Sequence, residues 1–272
     1  MEVGVCNVKA YQFEHDLLRS VKNTGFAVLI EHGIDHGLIK EAQQAWKEFF
    51  TKPQAAKNVY VNGNNTNMGY KGYGSETAVG STVADLKEFY HWKPGEIVPA
   101  ELEKINEALY GSLSELGMLA LTVLGKHIRQ NLVGDCRNSV NTLFRTLYYP
   151  ALKSLNRDAT SVRSSAHEDI NHITLLVAAS APGLQVKDVA GKWHDVPHEK
   201  NSITLNIADM LQMQSGGVYK STTHRVVNPP DDNSDRISMP LFIHPHPETI
   251  LAPDYTAAQY LKDRLDQIYG KK

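Results

Sequence analysis

Over the first 135 residues the apolar positions recur mainly at helical spacing, and from about residue 140 they collapse into short β-forming runs. Phe13, Leu17, Leu18 and Val21 mark one face of a helix over 13–23, with Thr24 and Gly25 as its stop. The next run, Phe26 to Glu31, predicts a short buried strand that ends at His32 and Gly33. Asp35 then caps a helix through Ile39, Ala42, Trp46, Phe49 and Phe50, which Pro53 terminates. Residues 61–80, rich in Gly and Asn and carrying Tyr70 and Tyr73, predict a loop over a surface or site. Between Leu102 and Leu132 the stripe Ile105, Leu109, Leu113, Leu116, Leu119, Leu121, Leu124 and Ile128 predicts one or two buried helices.

Strands are predicted over 141–149, 173–178, 184–189, 192–196, 202–207, 224–227 and 236–243. Turn signals such as Ala181-Pro182-Gly183, Ser215-Gly216-Gly217 and Asn228-Pro229-Pro230 separate several of them. Many short, regularly broken strands point to a sandwich or jelly roll. With no repeat and no linker, the pattern predicts one α+β domain: a mainly helical region over 1–135 packed on a β core over 140–250, and a C-terminal helix over 254–270.

Composition narrows the function more than the fold. A chain of 272 residues with 42% hydrophobic content can bury a large core. A net charge of −2 leaves no basic surplus for a phosphate backbone or an anionic membrane, so neither nucleic acid nor membrane is an expected partner. Cys6 and Cys136 lie far apart, outside any metal-ligand spacing, which fits a reducing compartment, and the cytoplasm is the expected location. The first residues lack the basic and apolar regions of a signal peptide, and no segment is expected to be long enough to span a bilayer.

The candidate chemistry begins at Ala166-His167-Glu168-Asp169-Ile170-Asn171-His172. Read as strand, this segment turns His167, Asp169 and Asn171 to one face and Glu168 and His172 to the other, leaving Glu168 in solvent and His172 away from the site. A zinc-protease helix needs HExxH, whereas HExxxH stands here and does not bring both imidazoles onto one helical face. An isolated HxD is weak evidence, since 12 histidines yield about one such match by chance. His224, opening a β-type run in His224-Arg225-Val226-Val227-Asn228-Pro229, can supply a third donor. Two histidines and one carboxylate occupy one face of an octahedral ion and leave the opposite positions open, as non-haem Fe(II) oxygen chemistry requires. Arg236 and Ser238 alternate on one strand, and a guanidinium beside a hydroxyl suits recognition of a carboxylate.

The ordered set of HxD, a distant HRVVNP and then RxS resembles the isopenicillin N synthase-like group of Fe(II)- and 2-oxoglutarate-dependent oxygenases. LLRSVKNTGFAVLIEHGI is similar to that group's N-terminal signature, and GYKGYGSE with DLKEFYHW to its middle section, so the resemblance covers nearly the whole chain. It implies a double-stranded β-helix with His167, Asp169 and His224 as catalytic iron ligands and Arg236 and Ser238 on the distal carboxylate of 2-oxoglutarate. Molecular oxygen would be the second co-substrate, and the expected reaction is oxidation of a small molecule, usually hydroxylation, with release of succinate and carbon dioxide. Tyr149 matches a family tyrosine that contacts the co-substrate, although Leu147 stands where many members carry Asn. Asn171 is expected to touch co-substrate or substrate. Two other readings stay open: an iron oxidase that holds its substrate's own carboxylate on RxS without using 2-oxoglutarate, and a jelly roll that binds metal or ligand without catalysis. Specificity is expected from the loop with Tyr70 and Tyr73 and from helices near Lys87–Trp92. His244 and His246 read as loop residues, and the oligomeric state has no sequence signature.

Overall fold

From Phe13 to Phe50 the helices and the strand fall where the apolar pattern puts them, in a computed structural model that describes residues 1–62, 67–75, 85–151, 163–228 and 235–269. A strand the pattern does not announce, β1 (Gly4–Asn7), comes first. Helix α1 (Phe13–Thr24) buries Phe13, Leu17 and Val21 and ends at Gly25, whose φ of 72° lets its N–H return to the Val21 carbonyl. Strand β2 (Phe26–Ile30) leads to α2 (His36–Phe50), where Asp35 accepts from the Gly37 N–H at 2.8 Å and Ile39, Ala42, Trp46, Phe49 and Phe50 are buried. Pro53 precedes a short α3 (Gln54–Asn58).

Further along, two expectations change. Gly69–Lys71 form β3 inside the predicted loop, and the segment placed near helices is itself a strand, β4 (Glu88–Trp92); 63–66 and 76–80 of that loop lie outside the described residues. The apolar stripe folds as α4 (Ala100–Ile128) and a short α5 (Leu132–Cys136). Contrary to the expectation that no segment could span a bilayer, α4 is long and apolar enough by length and composition, yet 56% of its most apolar window is buried inside the protein. Its leucines lie in the core shared with the sheet and α2, which is why it is so apolar, except Leu119, which the stripe places in the core and which is 41% exposed.

The second half supplies β5 (Leu143–Tyr149), β6 (Ser164–His167), β7 (Ile173–Val177), β8 (Leu184–Lys187), β9 (Trp193–Asp195), β10 (Ile203–Ile207), α6 (Asp209–Gln214), β11 (His224–Val226) and β12 (Arg236–Ile243). A small hairpin, β13 (Ile250–Ala252) and β14 (Tyr255–Thr256), precedes α7 (Ala257–Tyr269). An eight-stranded sheet runs β1-β2-β10-β7-β12-β5-β4-β3, and a four-stranded sheet runs β6-β11-β8-β9. The N-terminal half thus does more than pack on the core, because β1 to β4 complete both edges of the larger sheet.

Strand alternation divides the larger sheet into two chemistries. Ala27, Leu29, Ile173, Leu175, Val177, Ile203, Leu205, Ile237, Met239 and Leu241 face the helices in one extensive apolar core. The intervening residues face the smaller sheet: Phe26 and Val28 of β2 pack on Val186 of β8, and the Phe26 ring lies 5.4 Å from that of His224 on β11. Two facing sheets of this kind make the jelly roll that the strand pattern predicts.

One local prediction fails. Strand β6 ends at His167, residues 168–172 form a turn, and β7 begins at Ile173 in the other sheet. Side-chain parity across 167–173 therefore does not apply, because the chain is turning the corner between sheets. Glu168, expected in solvent, is half-buried and accepts a hydrogen bond from the Thr223 hydroxyl.

Candidate active site

Three of the predicted residues meet at that corner. His167 and His224 are direct cross-strand partners on β6 and β11, their ring centres 4.4 Å apart. The turn after β6 carries Asp169 back between them, so that its Oδ1 lies 3.8 Å from each Nε2. One donor atom from each of the three lies within 4.8 Å of the other two, a spacing that can hold one metal ion.

Hydrogen bonds behind the donors fix which atom each presents. His167 Nδ1 is 2.7 Å from the Ser165 carbonyl, and His224 Nδ1 is 3.1 Å from the Thr222 carbonyl. A carbonyl only accepts, so each Nδ1 carries the hydrogen and each Nε2 turns a lone pair to the centre. Asp169 Oδ2 accepts from the Thr174 hydroxyl at 2.6 Å and from the Asn206 amide at 2.9 Å, which leaves Oδ1 as the open oxygen. Burial penalises the Asp169 carboxylate, but His224, His167 and those two hydrogen bonds outweigh it and hold the carboxyl below the usual range. His167 is held below the ordinary histidine range by desolvation and by the neighbouring His224, so it stays neutral and able to ligate.

Thr174 and Asn206 are functional residues that the sequence analysis missed. Their signal is nevertheless present: each is a polar residue at an inward position of a mainly apolar strand, ITLLV and ITLNI. Asn171 borders the cavity beside the donors, but its amide is committed to the Ile173 carbonyl at 2.7 Å and to Thr174 at 3.2 Å. His172 faces away, as expected, fully buried with its Nε2 on Gln214.

Arg236 and Ser238 lie on the inward face of β12, 2% and 5% exposed. Arg236 sits opposite Tyr149 of β5, with the guanidinium carbon 5.3 Å from the tyrosine ring centre. Its Nε donates to the Ala181 carbonyl at 3.0 Å, while Nη1 has no partner among the described residues. Burial lowers its pKa to about 10, so the group remains a cation at neutral pH. A buried guanidinium with an unsatisfied donor is costly and calls for an anion.

A cavity of about 450 Å³ opens beside the donors. His91, Leu143, Arg145, Phe242 and His244 line its sheet wall, Ser164, Ala166 and Glu168 the opposite wall, and Leu261, Arg264 and Leu265 of α7 its rim. The loop expected to set specificity contributes Asn67 and Met68 to that lining, whereas Tyr70 and Tyr73 do not reach it. Tyr70 instead bonds Glu88, which Lys57 also meets, in a buried cluster. His244 and His246 lie in irregular backbone, as expected.

Comparison with known proteins agrees with this geometry. A profile of the 2OG-Fe(II) oxygenase superfamily matches residues 140–245, and one described as non-haem dioxygenase in morphine synthesis N-terminal matches residues 8–110. Jasmonate-induced oxygenase 4 of Arabidopsis thaliana is 30% identical over 279 residues, covering 93% of this chain and 75% of that protein. Flavonol synthase 1 of Crocosmia x crocosmiiflora is 31% identical over 243 residues, covering 83% of this chain and 70% of that protein. A crystal structure of a candidate oxygenase from Shewanella oneidensis superposes with a TM-score of 0.87 at 36% identity, over 98% of both chains. The chain belongs to the 2OG-Fe(II) oxygenase superfamily and is an Fe(II)- and 2-oxoglutarate-dependent dioxygenase.

Proposed function

We propose that His167, Asp169 and His224 hold the ferrous ion, that Arg236 with Ser238 takes the distal carboxylate of 2-oxoglutarate, and that a small organic molecule is hydroxylated in the adjoining cavity. The observation that carries this reading is the convergence of two Nε2 lone pairs and one carboxylate oxygen on a single point with the cavity on their open side. When bound, the ion and 2-oxoglutarate would supply, with molecular oxygen as oxidant, oxidative decarboxylation to succinate and carbon dioxide, one oxygen atom going into succinate and the other into a substrate C–H bond.

The chain's own part is to position and to exclude. Thr174 and Asn206 keep Asp169 in a single-oxygen presentation, and the Ser165 and Thr222 carbonyls keep both imidazoles in the ligating tautomer. Arg236 offers its unmatched charge to the co-substrate, with Tyr149 across the strand pair and Ser238 on the same face. Asn171 acts here as a positioning residue through Thr174.

The test is stoichiometry: with Fe(II) and a small organic substrate, oxygen uptake and succinate formation should depend on 2-oxoglutarate and match one to one. Oxygen uptake that proceeds without 2-oxoglutarate would instead favour an iron oxidase that holds its substrate on Arg236.

A further inference from the structure

Of the three donors, His167 is the one that packing holds least. Its side chain is 38% exposed, against 8% for Asp169 and 9% for His224. The backbone that carries it is weakly held as well. Strand β6 is an edge of the smaller sheet, paired to β11 alone among the described residues. Three steps from Ser164 to His167 on β6 stand against two from Val226 to His224 on β11, a β-bulge that sets Ser165 and Ala166 opposite Arg225 and interrupts the ladder there. Yet the Ser165 carbonyl is the acceptor that fixes the tautomer of His167, 2.7 Å from Nδ1.

Asp85 supplies the hold that the ladder lacks. It stands just before β4 of the larger sheet, is buried, and through Oδ1 accepts from both the Ser165 N–H at 3.1 Å and the Ser165 hydroxyl at 2.8 Å. Its other oxygen, Oδ2, accepts from the Lys87 ammonium at 2.7 Å, and Lys87 is buried too. With both oxygens engaged and the ion pair withdrawn from water, the carboxylate is fixed in one orientation. Ser165 is thereby tied to the opposite sheet at the one place where its own sheet lets go of it.

We propose that Asp85 is a positioning residue for the metal centre: by clamping Ser165 across the gap between the two sheets, it keeps the Ser165 carbonyl on Nδ1 of His167 and so aims Nε2 at the point shared with Asp169 and His224. This deepens the oxygenase reading given above and rests on it.

The test is anaerobic titration of metal-free protein with Fe(II) alone, preceded by imidazole nitrogen NMR of His167 at about pH 8, where the ring is neutral, with circular dichroism to check the fold. Wild type should bind the ion, and before metal is added its His167 should carry the hydrogen on Nδ1. Asp85→Ala should raise the Kd for Fe(II) about tenfold, the usual size of a supporting contact, and leave His167 a mixture of both tautomers. Asp85→Asn loses the same charge beside Lys87 but keeps an oxygen for Ser165, so it should stay within about threefold of wild type and keep the Nδ1 tautomer. An equal loss in the two variants would make the effect one of charge and overturn the proposal, as would wild-type affinity and tautomer in Asp85→Ala. Ser165→Ala deletes only a partly exposed hydroxyl and leaves the ion pair intact, so it decides the matter even where Asp85→Ala does not fold: the Kd should rise about threefold, and an unchanged value overturns the proposal. A wild type that binds no Fe(II) overturns the oxygenase reading and this proposal together, whereas binding that is indifferent to the variants overturns the role of Asp85 alone.

Discussion

At the scale of single residues, each of the three candidate donors divides its atoms between their shared centre and the rest of the protein. Asp169 gives Oδ2 to Thr174 and Asn206 and keeps Oδ1 for the centre, and each histidine gives Nδ1 to a carbonyl two residues before it. Such supporting contacts typically change metal affinity by about 10- to 100-fold. Asn206→Leu, which removes a donor at 2.9 Å from Oδ2, should therefore weaken Fe(II) binding by about tenfold with the fold retained, as read by Fe(II) titration alongside circular dichroism. An affinity equal to wild type would show that Oδ2 needs no support. Arg236→Gln should raise the 2-oxoglutarate concentration for half-saturation by about tenfold or more, because a buried charge-assisted pair is replaced by a neutral amide. Steady-state succinate formation measures this, and an unchanged value would remove Arg236 from the co-substrate site. The donors themselves were legible as residue types in a pattern. Their supporters were not, since a Thr or Asn inside an apolar strand has meaning only once the inward face is known.

Among the elements, the turn from α1 into β2 shows how a remote segment fixes the site. Gly25 at φ 72° lies so close to the 220–222 segment that a Cβ there would sit 2.6 Å from the Lys220 carbonyl and would collide with the Thr222 side chain. Thr222 is the residue whose carbonyl orients His224. The left-handed backbone and the clash with backbone atoms both oppose a side chain, so Gly25→Ala should destabilise by about 2–4 kcal/mol. Urea denaturation measures it, and a loss under about 0.5 kcal/mol would contradict the close packing. Helix α1, strand β2 and the runs that became β5, β7, β10 and β12 were legible from period alone. The corner at 168–172 was not, because alternation persists on paper through a turn that physically passes from one sheet to the other. Strands β1, β3 and β4 also escaped: two are only three or four residues long, and β4 is buried on both faces, so EFYHW shows no alternation of burial to read.

For the whole molecule, buried neutral histidines tie stability to pH. His172 and His244 are both buried, 0% and 6% exposed, and burial lowers both pKa values to about 4. A histidine depressed in this way binds its proton more readily when unfolded. Its stabilisation is therefore complete above the unfolded value near 6.5 and drains away as pH falls through about 4, at up to about 3 kcal/mol per group. Thermal unfolding of the metal-free protein should show Tm falling across that window, and His172→Gln should flatten the fall. An equal slope in the variant would mean His172 is protonated in the fold. The jelly roll as a whole was legible from strand count and turn spacing, and the meeting of His224 with the 167/169 pair followed from motif order. The cavity's walls were not, because they come from β4, β5, β12 and α7, brought together only by the sheet order. The central claim is that those three side chains hold one ferrous ion with 2-oxoglutarate chelated to it. Anaerobic addition of Fe(II) and 2-oxoglutarate to metal-free protein should produce the visible charge-transfer band of the chelate, and Asp169→Ala should abolish it while retaining native circular dichroism. A band of wild-type intensity in Asp169→Ala, or none in the wild type, would contradict the account.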